Sequence, residues 1–305
     1  MTVPFGQALD RMKKVLFEPF DLGRWFVIGF CAWLATLGEG GGFHGGSNFG
    51  GGRHGGGARA VRDQLGQARD YLMSNIAWIA PLVIAIVLFA LAVWLVILFL
   101  SSRGHFMFLH CVALNTAEVQ APWSRYGEQA NSLFWVRLVL SLIGLAVVLP
   151  LVGVLVAIVL GMVVHQTVSA GGIVAAGALL LSLVVVSAVC WVVSRVLHDF
   201  VVPMQFLRRS NCADAWREVK GLLQGNVGNL MLYLLFRIVL AIGIAVLVLA
   251  LIVVTCCIAG CLFALPYLGT VALLPILVFE RAYSLHYLAQ FGPDYDVFSP
   301  PLATV

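Results

Sequence analysis

LVLSLIGLAVVLPLVGVLVAIVLGMVVHQTVSAGGIVAAGALLLSLVVVSAVCWVVS, Leu138 to Ser194, runs for 57 residues without an Asp, Glu, Lys or Arg. A helix rises about 1.5 Å per residue, so a hydrocarbon layer of about 30 Å takes about 20 residues to cross. The stretch is nearly three crossings long and must turn back on itself. Gly161 to Gly172, with His165, Gln166, Thr167, Ser169 and Gly171, supplies the turn chemistry. Two helices are predicted, at about 133–160 and 173–197, with a kink at Pro150 in the first.

The rest of the chain obeys the same ruler. It is 61% hydrophobic and 10% charged, whereas a soluble domain carries about 25% charged residues. A water-soluble fold would lack the polar surface to cover itself, so the solvent for most of the chain is lipid. Working outward, apolar runs mark further spans at about 22–37, 76–100, 229–256 and 264–287. The first needs Arg24 to snorkel, and Pro81 falls in the first turns of the second, where its missing N–H costs little. The predicted fold class is all-α: one polytopic membrane domain over 1–305, a bundle of about six transmembrane helices. The apolar run Trp25 to Leu37 has the length of a signal-peptide core, but Glu18 and Asp21 precede it and no small-x-small site follows cleanly, so it is read as a retained helix.

Basic residues orient the chain. With the N-terminus inside, the inner side receives Arg11, Lys13, Lys14, Arg24, Arg103, Arg125, Arg208, Arg209, Arg217, Lys220 and Arg281. The first outer loop holds Arg53, Arg59, Arg62 and Arg69, which argues weakly the other way; the remaining outer loops hold none. The positive-inside rule favours both ends in the cytoplasm of a bacterial inner membrane. No concentrated basic face for nucleic acid is visible.

Residues 1–20 read as an amphipathic helix with Phe5, Leu9, Met12, Leu16 and Phe17 on one face. It lies either in the interface or against the bundle. Residues 38–57 hold twelve of the 31 glycines and read as a flexible loop in which His44 and His54 are solvated. The segments around Trp123-Ser124-Arg125 and Trp216-Arg217 each lead into a span with an arginine near its start, Arg137 or Arg237. They form a weak parallel repeat.

Ionisable residues at membrane depth are the candidate functional groups. Arg137, Arg195 and Arg237 lie near cytoplasmic helix ends, where snorkelling to headgroups explains them and a vestibule for anionic lipid or an anionic solute is the functional reading. His198 and Asp199 close the fourth span and can pair with Arg195 or Arg237; Glu280 and Arg281 occupy the matching exit of the sixth. His105 and His110 do not share a helical face, so no metal site is expected there. Cys256, Cys257 and Cys261 read as packing groups, and the seven cysteines make no disulfide framework. No GxSxG, HExxH, paired-carboxylate or CxxC…CxxC arrangement occurs, so no enzyme and no cofactor is expected. The expected partners are the bilayer, anionic phospholipid headgroups, and a membrane protein or second copy. A small-solute transporter or channel with an Arg-lined vestibule is the alternative.

Phe17-Glu18-Pro19-Phe20 before Arg24-Trp25, the Gly38 to Gly42 loop, Ser102 to Met107, Leu274-Pro275, Arg281 to His286 and Phe291-Gly292-Pro293 carry a resemblance. Together they resemble a family of uncharacterised bacterial and archaeal membrane proteins. More distantly, that group is similar to the membrane domain attached to some glycerophosphodiester phosphodiesterases. The resemblance implies a six-helix membrane fold and no assigned activity. With no soluble phosphodiesterase domain in these residues, that reaction is not carried over.

Overall fold

The computed structural model describes residues 2–37, 74–165, 169–255, 260 and 265–298. The Gly-rich loop, its histidines and arginines, and Cys256, Cys257 and Cys261 lie outside the described residues. Among those described, the chain is helical throughout and contains no strand. The order is α1 (Thr2–Leu16), α2 (Leu22–Thr36), α3 (Ile76–Leu114), α4 (Gln120–Arg125), α5 (Gly127–His165) and α6 (Ala170–Val196). A π-helical turn (Leu197–Val201) follows, then α7 (Val202–Arg208), α8 (Cys212–Gln224), α9 (Val227–Val254), α10 (Pro266–Ala272), α11 (Leu274–Ala289) and a 3₁₀ turn (Pro293–Tyr295).

Four helical runs are long and apolar enough to cross a membrane: 78–114, 127–162, 170–208 and 227–254. In the most apolar stretch of the second and third, no residue is buried within the protein. Leu149, Leu181 and Val184 are all more than 60% exposed, a pattern that water would penalise at about 25 cal/mol per Å² of apolar surface.

The chain divides into two compact units. Unit 2 takes 47–96 and 138–191, and its described residues carry no Asp, Glu, Lys or Arg. Unit 1 takes 1–46, 97–137 and 192–305, and holds every formal charge among the described residues. Helix α3 shows the change along one element: Leu82 to Phe89 are mostly exposed, whereas Phe106, Met107, Leu109 and Val112 are buried.

Inside unit 1, α1 packs along α11, and α2 packs on α10 and α11. The buried stripe of α1 is Pro4, Ala8, Val15 and Leu16, while Phe5, Leu9 and Phe17 remain partly exposed. This differs from the stripe expected from apolarity alone. The reason is Arg11, whose guanidinium donates to the carbonyls of Val112 and Ala113 in the last turn of α3. Those carbonyls have no partner within their own helix. Arg24 likewise donates to the carbonyl and Oδ1 of Asn115, at 2.9 and 3.0 Å. Asn115 takes the left-handed conformation (φ 56°) that ends α3. Gly104 lets α3 and α2 touch: a Cβ there would collide with the backbone of Leu34 and Ala35.

The spans expected at 22–37, 76–100, 133–160, 173–197 and 229–256 each coincide with a helix, though α3 and α5 run well beyond theirs. Within the span expected at 264–287, the described residues form two helices, α10 and α11, that meet at Leu273. Pro275 offers no N–H to the carbonyl four residues back, and its ring displaces that carbonyl.

Candidate functional site

The local cause of the site is Pro203. It cannot donate to the carbonyl of Asp199, and the helix widens ahead of it: the N–H of Val202 bonds Leu197, five residues back. The widened turn presents Asp199 to the interior of unit 1, where it is 4% exposed.

Asp199 is surrounded by donors. Arg195, one turn earlier on the same helix, places Nε 3.1 Å from Oδ2. Arg237 on α9 places its guanidinium 3.4 Å from Oδ1. The hydroxyl of Tyr233, one turn before Arg237, donates to Oδ2 at 2.9 Å. Glu280 on α11 lies 3.9 Å from Arg195 and 4.0 Å from Arg237, whose guanidinium also donates to the Glu280 carbonyl at 3.3 Å. Arg281 donates to the carbonyl of His198 at 2.6 Å. The His198 ring stacks on His105 of α3 with centroids 4.3 Å apart. Tyr233 continues the buried assembly into an aromatic stack with Tyr287 (4.4 Å) and Tyr283 (6.0 Å).

Six sequence-predicted residues, Arg195, His198, Asp199, Arg237, Glu280 and Arg281, therefore line one cleft together with His105, Ala35 and Phe108. Its volume is about 80 Å³, room for a few waters or one small anion. Arg137 stands behind this lining. It donates to the Ser101 hydroxyl at 3.0 Å, and Ser101 donates to the carbonyl of Ala35 at 2.8 Å. Arg137 and Arg237 are 8% and 5% exposed, so protein acceptors hold both guanidiniums. Tyr233 and Ser101 were absent from the sequence reading. The i, i+4 spacing of Tyr233 and Arg237 is the signal that could have found the first.

Electrostatically the cleft sets three arginines against two carboxylates. Asp199 links π-turn to α9, and Glu280 links α6, α9 and α11. A buried pair is costly to break because the surviving charge is left without compensation. The arrangement can clamp helices together, and its surplus positive charge can attract a small anion.

The two short-helix–long-helix segments of the weak repeat also match here. Arg137 and Arg237 are each the eleventh residue of their helices, α5 and α9, and both point to buried acceptors. Elsewhere in unit 1 the buried thiols of Cys31 and Cys111 approach to 3.9 Å. Among the described residues, no three His, Cys, Asp or Glu side chains are arranged to hold a metal.

Comparison with known proteins places the chain within a Family of unknown function (DUF7544), whose model matches residues 4–274. That covers nearly the whole chain, and the chain belongs to this family. No curated protein and no solved structure matches. The likeness to glycerophosphodiester phosphodiesterases thus finds no support.

Proposed function

We propose that this member of a family of unknown function is a non-enzymatic integral membrane protein, an accessory or scaffold whose basic cytoplasmic face contacts anionic lipid. The observation that carries this reading is the segregation of charge. The described helices of unit 2 have none, while unit 1 exposes Lys13, Lys14, Arg125, Arg208, Arg209, Arg217 and Lys220. In the proposed topology all seven fall on the inner side of a bacterial plasma membrane, where anionic headgroups add about 1 kcal/mol per basic residue. The four long apolar helices make four crossings, and α2 with α10–α11 make the other two. The ion-paired core around Asp199 ties the end of α6 to α9 and α11.

The test is the lipid shell carried out of the membrane in polymer-bounded discs. Replacing Lys13, Lys14, Arg209 and Arg217 together by Gln is expected to abolish enrichment of phosphatidylglycerol over phosphatidylcholine. Unchanged enrichment overturns the reading.

The Arg-lined cleft favours one second reading, a small-anion transporter or channel. Solute-specific uptake by proteoliposomes, lost in Arg195→Ala and Arg237→Ala, would establish it at the expense of the scaffold.

A further inference from the structure

A second cavity in unit 1, of about 370 Å³, shares no lining residue with the Asp199 cleft. It falls between the last turns of α6, one face of α8 and the first turn of α9. Its walls include Val193, Val196 and Val227, and its polar lining is Trp216, Lys220 and Gln224. No carboxylate lines it, so every charged contact it offers is a cation. Lys220 is exposed and engages no carboxylate among the described residues.

We infer that this groove seats one anionic glycerophospholipid, the upper part of one acyl chain against the three valines and a phosphate oxygen accepting from the Lys220 ammonium. The inference rests on the proposed lipid-facing basic surface. Three features fix the occupant. The groove sits where two apolar runs meet a polar helix: α6 ends there and α9 begins. That is the level at which a lipid changes from tail to headgroup, and Trp216 is the residue type that favours it. The volume falls in the range of small-molecule sites. Lastly, the lone cation without an acidic neighbour matches a phosphodiester, and basic pockets between membrane helices on the inner side take such headgroups.

The experiment uses the full chain reconstituted in nanodiscs of equal phosphatidylglycerol and phosphatidylcholine, released into mild detergent for native mass spectrometry. The expected result is one phosphatidylglycerol retained per chain. Lys220→Gln should lower retention about fivefold, the effect of removing one cation from an anionic headgroup, and Lys220→Arg should preserve it. Val193→Trp should empty the groove without changing its charge, with Val227→Trp as a second filler should the first fail to fold. Retention as in the wild type in Lys220→Gln and both fillers overturns the groove. Loss in a Lys13→Gln, Lys14→Gln variant, with the groove variants unaffected, also overturns it but leaves the basic-face reading standing. Equal retention of the two lipids by the wild type overturns both.

Discussion

Asp199 is the residue on which the polar core turns. It accepts from Tyr233 and faces Arg195 and Arg237 while almost wholly excluded from solvent. Asp199→Asn keeps the shape but takes the nearer carboxylate from two arginines, leaving Glu280 at 3.9 and 4.0 Å to compensate both. It should destabilise the chain by about 3–5 kcal/mol, read as a lower denaturant midpoint in dodecylmaltoside. Adding Arg237→Met should cost less than the two single changes summed, because the double variant removes both halves of one pair; strict additivity would show that the pair is not coupled. Much of this was legible. The His198-Asp199 and Glu280-Arg281 pairs stand out in the sequence as charged groups beside apolar runs, and Arg195 precedes Asp199 by one turn; the helix exits expected there are instead the π-turn and the middle of α11. Tyr233, Ser101 and the His105–His198 stack were not legible, because each depends on which helices become neighbours. Cys212 offers a check on packing outside the spans. Burial pushes its thiol up to about 11, and the thiolate is the reactive form. In a variant whose only cysteine is Cys212, alkylation at pH 8 should be slow and rise as pH approaches 11. Fast labelling at pH 8 in the folded protein would contradict the burial.

At the scale of the element, helix lengths and their interruptions carry the information. Pro203 and Pro275 are visible in the sequence, but their outcomes differ: one widens a turn and aims a carboxylate, the other separates α10 from α11. A proline specifies a lost hydrogen bond; the surrounding packing decides how the helix absorbs it. The contact of α2 with α3 depends on a hydrogen in place of a side chain. Gly104→Ala would drive a methyl group into the backbone of Leu34 and Ala35, and should cost about 1–3 kcal/mol in the same denaturant assay. Gly153→Ala, where the added carbon meets nothing, should be close to neutral. Equal effects at the two positions would refute the close approach. The expected apolar stripe of α1 also had to give way. Periodicity does not reveal that the unpaired carbonyls ending α3 would draw Arg11 inward.

For the whole molecule, the segregation of charge among the described residues was partly plain in the sequence: the 57-residue uncharged stretch falls almost entirely in unit 2. The division into two units was not plain, because α3, α5 and the run from α6 to α7 each give residues to both units as continuous helices. The proposed sidedness predicts that green fluorescent protein fused after residue 305 is fluorescent in a bacterial host, and that alkaline phosphatase fused after residue 168 is active. The reverse pattern would invert the topology and place the groove on the outer face. The most direct measurement is extraction of membranes from expressing cells with alkaline carbonate, then with detergent. The chain should stay in the pellet through carbonate and leave it only in detergent; a monodisperse chain in the carbonate supernatant would contradict lipid as its solvent.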